Sequence, residues 1–200
     1  MRSMATSTAL LTLATAGIAH AEEADSDFAQ YGVRVGVSPF GGSFNFGYNA
    51  SEKTTYSFGL GGLPSTDSEM TIDGTDYTRS SESVWAGVFV NHRPFDNAQW
   101  LRLNAGLCTG RIVHTLTEGD NEYKVEYLEV PVGYMGLGFG LNPKKGFQIG
   151  LDIGGLFGAG AAFSQTEGDA NKEALDAISE NALFSLPFLP NALVNVGWGF

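Results

Sequence analysis

The chain has 200 residues, which suits one small domain or barrel, and its composition excludes several classes of protein. A formal net charge of −11 argues against nucleic-acid binding, which needs a basic face. Cys108 is the only cysteine, so the chain can form no internal disulfide. His and Cys are not clustered, and we expect neither a metal nor a cofactor. The 27 glycines, together with many aromatic and β-branched residues, favour an all-β fold.

The first 21 residues have the pattern of a cleaved signal peptide. Arg2 supplies a positive charge, residues 9–18 form a short apolar segment, and residues 19–21 read Ala-His-Ala, an A-x-A cleavage site. The apolar segment is shorter than the about 20 residues that a membrane-spanning helix needs. We therefore predict a signal peptide over 1–21, a polar tail over 22–29 and a β-barrel over 30–200.

Alternation of apolar and small or polar side chains with a period of two predicts a series of strands. Three short strands cover about 32–37, 44–49 and 56–61, and the acidic stretch 64–83 is predicted to be a long polar loop. The fourth strand places Val84, Ala86, Val88 and Val90 on one face, although Trp85 and Phe89 on its other face blur the pattern. A fifth strand is predicted from residue 101 to about residue 117.

The second half of the chain continues the alternation. The apolar face of the sixth strand, which starts near Tyr123, changes sides beyond Gly133 and so indicates a bulge near Pro131 or Gly133. The turn at 142–146 leads to a seventh strand over 147–154. Basic residues mark the short turns at the inner, periplasmic end of the predicted barrel: Lys53, Arg93, Lys144 and Lys145.

The longest predicted connection, about 158–189, contains an amphipathic helix over 170–186. Pro187 and Pro190 end the helix before the final strand. The simplest interpretation is a loop helix that packs over the barrel mouth. A lid over the lumen, an interfacial segment and a partner-binding element are the alternatives.

The final strand ends the chain on an aromatic residue. Its apolar face consists of Val194, Val196, Trp198 and Phe200. Free termini of soluble domains usually fray, whereas pairing of the last strand with the first closes a barrel. This ending resembles the C-terminal assembly signal of bacterial outer-membrane β-barrels, which the barrel assembly machinery reads.

The leader, eight alternating strands and unequal connections resemble the small eight-stranded outer-membrane proteins of Gram-negative bacteria. The resemblance implies an all-β fold, an antiparallel up-and-down transmembrane β-barrel with a short helix in the last extracellular loop. It also implies a cell outer membrane location, periplasmic termini, a monomer, and contact with outer-membrane lipid and lipopolysaccharide. The competing interpretation is a soluble exported barrel with its apolar residues inside. Nearly pure apolar faces, opposite faces poor in Lys and Glu, and the terminal Phe favour the membrane.

Polar residues on the inward faces predict a network in the lumen. Eight strands leave an interior just wide enough for side chains, so the two positive and two negative charges are expected to pair into a plug. A narrow polar pathway is the alternative. The predicted network consists of Arg34, Asn45, Arg102, Asn104, Glu129, Asp152 and Asn195.

Function stays open because small outer-membrane barrels include tethers, adhesins, solute channels and a few lipid-modifying enzymes. We expect a non-enzymatic structural or surface-interaction role in the cell envelope. A narrow conduit or binding barrel for small or hydrophobic solutes is the first alternative, and a lipid-modifying enzyme is the second. His92 and His114 follow the leader, and His114 lacks a His-x-Ser arrangement. The acidic loops either bind divalent cations shared with lipopolysaccharide phosphates or form a solvated surface.

Overall fold

A computed structural model describes residues 27–127, 131–182, 184–186 and 188–200. The predicted signal peptide, most of the polar tail and Glu129 lie outside these residues. Ten strands and one helix occur within them, in the order β1 Tyr31–Ser38, β2 Gly41–Asn49, β3 Thr54–Ile72, β4 Thr75–His92, β5 Leu101–Glu118, β6 Asn121–Tyr127, β7 Val132–Gly140, β8 Gly146–Phe157, β9 Ala161–Glu167, α1 Lys172–Glu180 and β10 Leu189–Gly199.

Eight of the strands form a closed antiparallel ring. The ring runs β1-β2-β3-β4-β5-β7-β8-β10 and returns to β1. Its last pairing joins β10 to β1 in a register from Gly32 opposite Gly199 to Val37 opposite Val194. Two backbone hydrogen bonds of 2.9 Å between Tyr31 and Phe200 complete this seam. The prediction of an eight-stranded barrel closed by the last strand is therefore confirmed.

Most apolar side chains of the ring point outward, and most of its polar side chains point into the lumen. Val194 and Trp198, for example, are 53% and 55% exposed, whereas Asn195 between them is 2% exposed. Aromatic side chains gather where the described chain begins and ends, which we call the terminal end; Tyr31 contacts Phe46, Tyr48 and Phe200 there. An apolar outer surface of this kind suits lipid and contradicts the soluble interpretation.

The opposite end of the barrel carries a folded extension, the distal head, formed by residues 64–83, 111–127, 161–182 and Phe184. The stretch 64–83 is not the polar loop that we predicted, because β3 and β4 stay paired up to a two-residue turn at Asp73 and Gly74. The predicted connection 158–189 likewise contains β9, which pairs with β6. These strands lengthen the barrel wall beyond its lipid-facing band.

The distal head has a hydrophobic core of its own, which is the buried apolar cluster of the described residues. Helix α1 contributes Ile178, which is completely buried, and Phe184 follows it in the cluster. The strands contribute the remaining buried members: Ile72, Tyr77, Leu116, Tyr123, Val125 and Tyr127. Burial of these side chains supplies a driving force for folding that does not depend on lipid.

Helix α1 is shorter than predicted, covering Lys172–Glu180 rather than 170–186. Asn171 caps its first turn by accepting a 3.1 Å hydrogen bond from the backbone N–H of Ala174. Among the described residues, no helix is long and apolar enough to cross a membrane.

β6 and β7 pair with β5 on either side of the place near which a bulge was predicted, and their registers differ by one residue. Cys108 of β5 faces Val132 of β7, and Ile112 of β5 faces Tyr127 of β6. The two β5 residues are four positions apart in the sequence, whereas their partners are five positions apart. One extra residue reverses the facing of every later side chain. Tyr134 is therefore buried in the lumen, and Met135 faces outward.

Candidate functional site

Asp152 is the centre of a hydrogen-bonded network across the lumen. Its Oδ1 accepts a 2.6 Å hydrogen bond from Nη2 of Arg102 and another from Nδ2 of Asn104. Its Oδ2 accepts a 2.8 Å hydrogen bond from Nδ2 of Asn195. These residues come from β5, β8 and β10, so the network links three of the four strands in one half of the ring. Gly138 leaves the room for it, because a Cβ there would overlap Arg102 Nε and Asp152 Oδ1.

A second polar layer closes the terminal end of the lumen. Arg93, 2% exposed, donates hydrogen bonds of 3.2 Å to Thr55 Oγ1 and 2.6 Å to the carbonyl oxygen of Leu141. Thr55 donates in turn to Asn49, whose amide donates to the carbonyl oxygen of Ala29. Residues 27–29 thus cross the base of the barrel. We call the two layers together the lumenal plug: Asn49, Thr55, Arg93, Arg102, Asn104, Asp152 and Asn195.

Arg93 is a residue whose role the sequence reasoning missed. Its position before Pro94 had marked a short turn, whereas the structure turns its side chain inward. The signal was present, because Phe89, Asn91 and Arg93 continue one two-residue alternation. The other basic turn residues behave as predicted at the terminal end: Lys53 pairs with Asp96 and Lys144 pairs with Asp27, each at 2.7 Å.

Arg34 lies beside the network without joining it. Its side chain lies over Gly47 and Gly197, where a Cβ on either glycine would collide with it. Among the described residues, none forms a hydrogen bond or ion pair with its guanidinium group. Arg93 and Arg102 lie near it, and Arg111, which lines the upper part of the lumen, is paired with Glu126 at 2.6 Å. Cancellation of charge among Arg34, Arg102, Glu129 and Asp152 stays a prediction, because Glu129 lies outside the described residues.

Above the lumenal plug the barrel contains a cavity of about 140 Å³, which we call the upper cavity. Arg34, Asn45, Asn104, Asp152 and Asn195 line its floor. Its walls include Trp85, Phe89, Tyr134, Phe188 and Leu193. Trp85 and Phe89, which obscured the alternation in the sequence, are thus inward-facing residues of an aromatic chamber. Phe89 and Tyr134 meet edge to face at 5.7 Å.

A smaller cavity of about 10 Å³ lies below Arg34, between it and the lower layer of the plug. Arg34, Arg93 and Arg102 all line it. The Nε atoms of Arg93 and Arg102 are buried and have no hydrogen-bonding partner within the described part of the chain. Space of this size holds about one water molecule. The lumen therefore narrows from a chamber of ligand size to a gap of water size.

His114, the residue considered for catalysis, lies in the distal head. Its Nδ1 is 2.8 Å from Ser81 Oγ, and its ring contacts Tyr127 and Phe184. Burial, with a smaller effect from the charge of Arg79, lowers the pKa of His114 to about 4. A general base works best with a pKa near the working pH, so this imidazole is poorly suited to activate Ser81. The pair fits a structural hydrogen bond within the head.

Candidate metal ligands are scattered over the part of the chain that the structure describes. No three His, Cys, Asp or Glu side chains there are grouped closely enough to hold an ion. His92 is exposed at the terminal end, where its Nδ1 is 3.1 Å from Thr54 Oγ1.

The four residues of the predicted assembly signal all face outward along the closing strand; they are Val194, Val196, Trp198 and Phe200.

Comparison with known proteins adds evidence on the fold. No family model matches the chain, and no curated protein matches it. The crystal structure of Acinetobacter baumannii CarO is similar, with a TM-score of 0.63 and 16% identity over 84% of this chain and 97% of that one. That of Acinetobacter baumannii CarO2 gives a TM-score of 0.67 and 17% identity over 88% and 100%. The chain therefore has the fold of a small eight-stranded outer-membrane β-barrel.

Proposed function

We propose that this protein is a non-enzymatic outer-membrane barrel that presents the distal head at the cell surface, with a structural or surface-interaction role in the envelope. The observation that carries the proposal is that the strands continue past the lipid-facing band and fold around a separate core. Cleavage of the leader and periplasmic termini would place this head outside the cell. Lipopolysaccharide and outer-membrane lipid are then its immediate surroundings, and the barrel assembly machinery inserts it as a monomer.

The surface of the distal head is strongly acidic. In residues 64–83 of the β3–β4 hairpin, five carboxylates are exposed and Arg79 is the basic residue. Such a surface attracts cationic groups and divalent ions that bridge lipopolysaccharide phosphates, because carboxylate oxygens suit hard cations. The five exposed carboxylates belong to Asp67, Glu69, Asp73, Asp76 and Glu82.

The experiment compares cells that lack the protein with cells complemented by charge variants. Neutralising the five hairpin carboxylates to Asn or Gln should leave the heat-modifiable outer-membrane band intact while attachment to cationic surfaces or resistance to detergent is lost. The matched control neutralises Glu52 and Asp96, which are exposed at the terminal end. Full rescue by the hairpin variant would contradict a role for the head surface.

The lumenal plug argues against a conduit. Arg102, Asn104, Asp152 and Asn195 fill one side of the lumen with hydrogen-bonded side chains, and Arg93 is buried in the layer below. We expect no steady ion conductance in planar bilayers, and a wild-type conductance that changes on neutralising Asp152 would instead support a polar pathway.

A binding barrel for small or hydrophobic solutes is the second candidate function, and the upper cavity is the observation that favours it. Ligand pockets are typically concave, apolar chambers with a few convergent polar groups. The aromatic walls and polar floor of the upper cavity have this composition. Binding of solutes and display of a surface head are compatible in one molecule.

A further inference from the structure

We infer that the upper cavity binds a small aromatic carboxylate, whose ring lies between the aromatic walls and whose anionic group pairs with Arg34. The inference rests on the second candidate function and names the ligand chemistry that it would serve. Three independent features lead to it: the charge of the floor, the isolation of Arg34 and the size of the chamber.

The floor of the upper cavity has an excess of positive charge. Arg34 lines the cavity, and Arg102 and Arg93 lie just below it. Arg111 also lines the cavity but is already paired with Glu126 at 2.6 Å. Among the described residues that line the two cavities, Asp152 supplies the carboxylate. It already accepts hydrogen bonds from Arg102, Asn104 and Asn195. A buried charge is costly unless it is paired and hydrogen-bonded. An anion that enters this floor therefore gains more than a neutral group does.

Arg34 is the guanidinium group placed to receive that anion. It lines both cavities, so its side chain lies at the boundary between the chamber and the closed base. Within the described residues it has no ion pair or hydrogen bond. A guanidinium presents a fork of N–H donors that matches a carboxylate in bidentate geometry. The chain thus leaves a carboxylate receptor free at the bottom of an apolar chamber.

The chamber sets the size and character of the rest of the ligand. Its volume of about 140 Å³ is close to the about 150 Å³ of an engineered apolar cavity that accommodates benzene. Trp85, Phe89 and Phe188 offer ring faces and edges against which a second aromatic ring packs favourably. An inorganic anion would pair with Arg34 but leave these walls uncovered. A neutral ring would fill the chamber but leave Arg34 without a counter-ion.

Binding can be followed through Trp85, because it lines the cavity. Trp100 and Trp198 lie on the outer surface, so Trp100→Phe and Trp198→Phe give a folded barrel with one reporter. We would titrate this variant in detergent micelles with benzoate, with benzyl alcohol as the uncharged ring and with acetate as the isolated carboxylate. Benzoate should change the Trp85 fluorescence saturably, with an affinity at least about tenfold tighter than either analogue.

Variants at Arg34 test the assigned contact. Arg34→Gln should weaken benzoate binding at least about tenfold, and Arg34→Lys should retain part of it, since Lys keeps the charge without the fork. The matched control is Lys144→Gln, which removes one positive charge from an exposed turn at the terminal end and should leave binding unchanged. Each variant is first checked for heat-modifiable migration. If Arg34→Gln does not fold, the comparison of the three ligands on the single-tryptophan protein that keeps Arg34 still tests the inference.

The possible results separate the inference from the function on which it rests. Equal affinity for benzoate and benzyl alcohol would overturn the carboxylate assignment and leave an apolar binding barrel. Equal affinity for acetate and benzoate would reduce the site to a simple anion site and overturn the aromatic assignment. No saturable change with any of the three would overturn both the inference and the binding function.

Discussion

Asp152→Asn should destabilise the barrel more than any other single charge neutralisation in the described chain. The carboxylate is 8% exposed and accepts hydrogen bonds from Arg102, Asn104 and Asn195. An asparagine keeps the shape but turns one acceptor oxygen into an N–H donor, which would face another donor. It also leaves the lumenal guanidinium groups without the carboxylate. Removing one partner of a buried ion pair typically costs about 3–5 kcal/mol, and we expect a loss in this range.

The assay is urea unfolding in lipid vesicles, monitored by tryptophan fluorescence and by heat-modifiable migration. The control is Asp96→Asn, the same substitution in an ion pair with Lys53 of nearly equal length, 2.7 Å against 2.6 Å. The Asp96 and Lys53 side chains are 82% and 44% exposed, and exposed pairs contribute about 0–1 kcal/mol. The contrast between the two variants therefore measures burial rather than distance.

A double variant tests the physical reason. Adding Arg102→Met to Asp152→Asn removes the guanidinium that the first substitution strands, so the two losses should not add, and the coupling should be about 2 kcal/mol or more. Additive losses, or an Asp152→Asn loss within about 1 kcal/mol of the wild-type protein, would refute the view that this pair organises the plug.

Three further predictions concern the distal head and the closing strand. Folding of the head lowers the pKa of His114 to about 4. Between about pH 6.5 and 4 the unfolded head therefore binds a proton that the folded head does not. The free energy of opening of the head, measured by hydrogen exchange of its amides, should fall by roughly 2 kcal/mol as the pH drops through this interval. His114→Gln should flatten that dependence, whereas His92→Gln should not. Ile178→Ala should lower the free energy of unfolding of the head by about 2–4 kcal/mol without altering heat-modifiable migration. An equal loss of stability in the barrel and the head would show that they unfold as one unit. Phe200→Ala should slow insertion by the assembly machinery, seen as unfolded protein in pulse-chase samples, and normal insertion kinetics would remove Phe200 from the signal.

The lipid-facing ring could be predicted because the membrane imposes a strict pattern. Every ring strand must present apolar residues to lipid and small or polar ones to a narrow lumen, so the period of two is strong in β2 and β10. The polar positions of β5, β8 and β10 could be assigned to the lumen for the same reason. Their exact partners follow from register between strands, which one sequence does not contain.

The distal head was missed because its strands leave that environment. Between residues 64 and 83 both faces of the hairpin carry Ser, Thr and charged side chains, so alternation is weak and the stretch resembles a loop. A local signal was nevertheless present. Asp73-Gly74 is a two-residue hairpin turn, and Met70, Ile72 and Tyr77 flank it on the face that packs into the head core. Asp73 and Gly74 both have positive φ, at 48° and 79°, as such a turn requires.

The closed base and the open chamber make the lumen a cup rather than a tube. If the termini are periplasmic, the cup opens toward the cell surface, where a solute can be held but has no open route inward. The segment that follows helix α1 connects the cup to the distal head, because Phe184 packs in the head core while Leu186 and Phe188 line the upper cavity. Loosening the head through Ile178 should therefore also change the affinity of the cavity, whereas a change at Arg34 should leave the head core intact. These two results would show that the ligand site depends on the packing of the head, whereas the packing of the head does not depend on the ligand site.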